Sequence, residues 1–106
     1  MPPKTRQSRL FTVIMEFDGT TSVSQVVAQD VRGALRLWLD RLSEPGAYGL
    51  SRSAARHLQQ SFADEDETKN VGNIKGVVNV WCTTALVGRN ASSKLALLNI
   101  VKTNRR

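Results

Sequence analysis

Residues 10–17, LFTVIMEF, are dominated by β-branched and aromatic side chains, which predicts a β-strand. Phe11, Val13, Met15 and Phe17 fall on one face of it, and Leu10, Thr12, Ile14 and Glu16 on the other. Asp18-Gly19 follows as a tight-turn signal, because glycine supplies the positive φ that a two-residue hairpin needs. Residues 20–28, TTSVSQVVA, then read as the returning strand, more polar and nearer a sheet edge.

The period changes at Asp30. Val31, Ala34, Leu35, Trp38 and Leu42 recur at helical spacing, predicting a helix over 31–42 with Asp30 as its N-cap. Gly33 costs such a helix about 1 kcal/mol against alanine, and its missing side chain suits close packing on a sheet. Pro45 disfavours helical geometry at Glu44 and ends the element. Ser51 caps a second, shorter helix over 52–63, with Ala54, Ala55, Leu58 and Phe62 on one side. Residues 64–76, DEDETKNVGNIKG, read as a surface loop. GVVNVWCTTALV predicts a strand over 77–87, residues 88–93 a turn, and KLALLNIVKT a last strand over 94–103.

Hairpin, helix pair, hairpin is the order ββααββ. Its simplest packing is an α+β two-layer domain over residues 10–103, a four-stranded antiparallel sheet with helices on one face. Parity complicates the second face. In the strand over 77–87, Val78, Val80, Cys82 and Leu86 form the more apolar side, with Val77, Asn79, Trp81, Thr83, Ala85 and Val87 opposite. The last strand is apolar on both sides, with Leu95, Leu97 and Val101 against Ala96, Leu98 and Ile100. A sheet with one wet face alternates more cleanly than this. The second face is therefore expected to be covered, by the second helix or by another copy of the chain.

A length of 106 residues, 41% hydrophobic and 23% charged, fits one globular domain and excludes wholesale disorder and fibrous repeats. The net charge of +6 invites a nucleic-acid reading. Its placement weakens that reading. Lys4, Arg6 and Arg9 in a flexible arm over 1–9, with Arg105 and Arg106 in a basic tail over 104–106, carry five of the six charges. Cys82 is the single cysteine, so an internal disulfide is excluded and no oxidising compartment is implied. No apolar run reaches the roughly 18–20 residues of a membrane helix, and residues 1–9 lack a signal peptide's apolar stretch. The expectation is a cytoplasmic protein with no membrane partner.

Candidate chemistry is sparse. His57 is the sole histidine and reads as a solvated surface residue on a short polar helix; Cys82 reads as a small core residue. Asp64, Glu65, Asp66 and Glu67 lack the alternation and fixed glycine of an EF-hand loop. Gly72 and Gly76, near Lys69 and Lys75, lack phosphate-loop spacing. No catalytic, cofactor-binding or metal-ligating residue is assigned, and no enzyme is expected. Trp81, Ile14 and Val77 are the candidate interface of a homodimer or of a complex with another protein. The alternative is a weak, sequence-tolerant nucleic-acid binder using Trp81, Arg89, Lys94 and Lys102 together with the tails.

One resemblance accompanies this reading. Residues 10–42, in which a hairpin runs into VVAQDVRGALRLWLDRL, resemble the core of HicB-type antitoxins, where a hairpin leads to a helix opening with an acidic or polar cap and an Ala-Leu pair. EFDGT (16–20) stands where that family has a proline-rich segment, and no DNA-binding helix or ribbon follows. What the resemblance implies is hairpin–helix packing, with Ala34 and Leu35 as packing residues.

Overall fold

A computed structural model describes residues 8–65, 72–73, 78–88 and 94–103. Residues 1–7 of the expected arm over 1–9, the tail at 104–106, most of the expected loop over 64–76 and the turn at 89–93 lie outside the described residues, whereas Arg9, expected in the arm, opens the first strand and pairs with Ala28. The chain forms β1 (Arg9–Phe17), β2 (Thr20–Ala28), α1 (Val31–Asp40), α2 (Arg52–Glu65), β3 (Gly72–Asn73), β4 (Val80–Val87) and β5 (Lys94–Thr103). Two single-turn 3₁₀ segments, Arg41–Ser43 and Ala47–Gly49, connect the helices. The strands make one antiparallel sheet in the order β2-β1-β5-β4-β3, so the two hairpins join through β1 and β5. The expected ββααββ α+β architecture stands, and two-residue β3 adds a short fifth strand beside β4.

Local chemistry explains the joints. Asp18 and Gly19 both adopt positive φ, 51° and 76°, the backbone of a two-residue hairpin turn that matches sheet twist. The Asp30 carboxylate accepts the Gly33 N–H at 2.8 Å and caps α1. A Cβ on Gly33 would sit 3.2 Å from that carboxylate oxygen and 3.5 Å from Ala28 Cβ, so the glycine leaves room for the cap as well as for the sheet. Ser51 Oγ accepts the Ala54 N–H at 3.1 Å and opens α2, which runs two residues beyond the expected span, to Glu65.

The core lies between the helices and a single face of the sheet. Phe11, Val13 and Met15 of β1, with Ala96, Leu98 and Ile100 of β5, are buried against Ala34, Leu35 and Trp38 of α1. Ala55, Leu58 and Phe62 of α2 join the same core. Trp38 is its largest fully buried side chain. Its ring stacks on Tyr48 at 4.3 Å and 6°, its Nε1–H donates to Ser24 Oγ at 3.1 Å, and its carbonyl accepts the Tyr48 hydroxyl at 2.8 Å.

Strand β4 overturns the expected parity. Thr83, Ala85 and Val87 are buried beneath the helices, whereas Leu86 is exposed and Cys82 half-exposed on the other side. The register with β5 dictates this. Trp81, Thr83 and Ala85 pair with Ile100, Leu98 and Ala96, whose side chains are already committed to the core. Small Ala85 and Thr83 suit that side because α2 packs directly over β4. Val78 lies outside the strand, exposed, and Asn79 with φ 63° breaks the pleat before Val80. Cys82 is therefore an outer-face residue rather than a core one, and Trp81 faces the helices.

Candidate interaction surface on the outer sheet face

Since α1 and α2 share one side, the opposite side of the four long strands meets no other described element. The second helix does not cover it, which removes one of the two expected covers. The register defines its rows across β4, β5, β1 and β2. Cys82, Asn99, Ile14 and Val23 form the middle row. Thr84, Leu97, Glu16 and Thr21 lie on one side of it, and Val80, Val101, Thr12 and Gln25 on the other. Leu86 pairs with Leu95 at one end, and Thr103, Leu10 and Val27 close the other. More than half of these side chains are apolar. Val23 is 66% exposed, Leu86 60% and Leu95 55%, a large display of branched aliphatic groups on one sheet face.

Charge is nearly absent here. Among the described residues, Glu16 is the only ionisable acid on this face, and none of its side chains is basic. Three of the seven polar side chains on this face bond one another. The Thr12 and Thr103 hydroxyls share a hydrogen bond of 2.6 Å, and Gln25 Nε2 donates to Thr12 Oγ at 3.1 Å.

The residues singled out from sequence are dispersed. Ile14 sits in the middle row of the outer face, half-buried. Trp81 lies on the inner face, its ring tilted 56° against Phe11 at 6.1 Å. Val77 and Arg89 lie outside the described residues. Lys94 Nζ is 2.7 Å from Asp18 Oδ1, an exposed pair across the hairpin end. Lys102 pairs with Phe11 on the inner side, near Trp81. Lys94 and Lys102 stand at opposite ends of β5, roughly 26 Å apart at the strand rise. Trp81 and Lys102 are thus neighbours, and Lys94 belongs to another corner.

Two clefts among the described residues hold no convergent chemistry. An open cavity of about 460 Å³ lies between the Arg41–Ser43 turn and α2, where Arg52, Arg56 and Gln59 face Glu44. Gln59 Nε2 already donates to Leu39 O at 3.0 Å and to Ser43 Oγ at 3.2 Å. A second cavity of about 200 Å³ lies under the β1–β2 turn, lined by Met15, Asp18 and Tyr48 among others. The Tyr48 hydroxyl is pushed up to about 12, first by burial, with Arg41 opposing and Glu44 reinforcing the shift. It keeps its proton and its bond to Trp38. His57 is half-buried on α2. Among the described residues no three His, Cys, Asp or Glu side chains gather as metal ligands, and no helix is long and apolar enough to cross a membrane.

Sequence reasoning identified the two-sided apolarity of β1 and β5 but missed Asn99 and Cys82 as outer-face residues. The β5–β4 register, which periodicity does not encode, assigns them. No family model matches the chain, and neither the curated proteins nor the solved structures give a match.

Proposed function

We propose that the protein is a non-enzymatic interaction domain that pairs with a second copy of itself through the outer face of its sheet. The observation that carries this reading is the position of both helices on the inner face, which leaves the apolar outer face without a cover among the described residues. Four strands about 4.8 Å apart and about 26 Å long together present a face of roughly 500 Å² per copy, so two copies bury about 1,000 Å², the lower bound for a specific interface. A two-fold dimer needs a self-complementary patch, and a face with one acid and no base among its described residues offers no like-charge barrier at its centre.

Sedimentation equilibrium from about 1 to 100 μM tests the proposal over the range of a weak to moderate interface. The wild type is expected at twice the 11.7 kDa chain mass. The double variant Leu86→Lys, Leu95→Lys alters two exposed side chains and is expected to run as a folded monomer. Trp81→Ala, on the opposite face, is expected to leave the dimer mass unchanged. A wild type that stays monomeric throughout overturns the reading.

A further inference from the structure

Asn99 occupies the centre of the outer face. It lies midway along β5, an inner strand of the sheet, between Ile14 of β1 and Cys82 of β4. Leu97 and Val101 flank it on its own strand and side. The amide is half-exposed, and it makes no side-chain hydrogen bond to another described residue, unlike Thr12, Thr103 and Gln25 nearby. An apolar centre therefore carries one amide whose donor and acceptor have no side-chain partner among the described residues.

We infer that Asn99 sets the register of the self-paired dimer by hydrogen-bonding to Asn99 of the second copy across the two-fold axis. This rests on the self-association proposed above. When two identical patches overlap as fully as possible, the axis passes through the patch centre, whatever its direction in the plane. The central residue then faces its own copy. Distance supports the pairing. Two asparagine side chains reaching about 3.7 Å each from Cα, joined by a bond of about 2.9 Å, span about 10 Å, the separation of two packed sheets. A primary amide is self-complementary, because its carbonyl accepts from the other's N–H while its own N–H donates back. A shifted register buries both amides against Ile14, Cys82 or Leu97, where they find no partner. A single buried asparagine fixes register in coiled coils by the same logic.

Sedimentation equilibrium on the full chain tests this with Asn99→Asp and Asn99→Leu. Asn99→Asp sets two carboxylates face to face and is expected to weaken the dimer at least ten-fold at pH 7. At pH 5 the pair can share a proton and hydrogen-bond again, so affinity recovers relative to the wild type. Glu16, diagonal to Asn99 on β1, is the only other acid on this face among the described residues, and the wild type at both pH values controls for it. Asn99→Leu is expected to remain self-associated. A second variant covers a failure of Asn99→Asp to fold. Asn99→Cys in a Cys82→Ser background is expected to cross-link to its own copy with a short bismaleimide. An Asn99→Asp protein as dimeric as the wild type at pH 7, or an Asn99→Cys protein that does not self-cross-link, overturns Asn99 as the axis residue and leaves self-association standing. A monomeric wild type overturns both.

Discussion

Trp38→Ala removes the ring around which α1, β2 and the connection between the helices are organised. Trp38 has no exposed surface, so truncation opens a cavity that the surrounding helix and sheet fill only in part. Large aromatic-to-alanine changes of this kind cost about 3–5 kcal/mol. Two specific losses lie within that figure. The stack on Tyr48 at 4.3 Å is worth about 0.5–1.5 kcal/mol, and the Nε1–H bond to Ser24 Oγ about 1 kcal/mol. Trp38→Phe separates them, since it keeps a ring against Tyr48 and deletes the Ser24 bond. It is expected to lose about 1–2 kcal/mol, less than half the alanine value. Urea unfolding followed by circular dichroism reads both, at one fixed protein concentration because association adds to apparent stability. With a slope of about 1–2 kcal/mol per M, Trp38→Ala lowers the midpoint by about 2–3 M. A loss below about 1 kcal/mol for alanine, or equal losses for phenylalanine and alanine, would refute the packing argument.

Two other perturbations follow from the geometry. Gly33→Ala gains up to about 1 kcal/mol of helix propensity but brings a Cβ to 3.2 Å from the Asp30 cap, so no net rise in thermal midpoint is expected; a rise of about 5 °C or more would show that the cap yields freely. Tyr48 titrates near 10 unfolded and about 12 folded, so its contribution is intact below pH 10 and is lost as pH rises from about 10 to 12, where only the unfolded chain has released its proton; melts at pH 9 and 11 should show a fall that Tyr48→Phe lessens, and an equal fall in both proteins would refute this.

Elements whose signals are local were legible in the sequence. The α1 stripe, the Asp30 and Ser51 caps and the Asp18-Gly19 turn each rest on residues within a few positions of one another, and the structure reproduces them. Helix α1 gives way to a 3₁₀ turn at Arg41, so Leu42 keeps its buried place from a tighter segment. Features set by long-range pairing were not legible. The face of β4 follows from its register with β5, and Ala85 and Thr83 look unlike core residues until α2 is placed over them. Bulk misled because hydrophobicity measures what a side chain gains from burial, whereas the gap beneath a helix selects for size.

The same physics makes the outer face informative. Val80, Cys82 and Leu86 were the stronger apolar set of β4, and the fold turns them away from its own core. Leu95, Leu97 and Val101 do likewise on β5, as Leu10 and Ile14 do on β1. Three adjacent strands thus carry their surplus on one side, aligned by register into a continuous surface. Burying an exposed leucine is worth about 1.5–3 kcal/mol, so covering Leu86 and Leu95 alone offsets a sizeable part of the entropy lost on pairing. A lone copy leaves that arrangement uncovered by its described helices, because α1 and α2 are both on the other side. In the self-association proposed above, a second sheet laid across the face gains all of that burial, and Asn99 is the residue proposed to give that docking a single register.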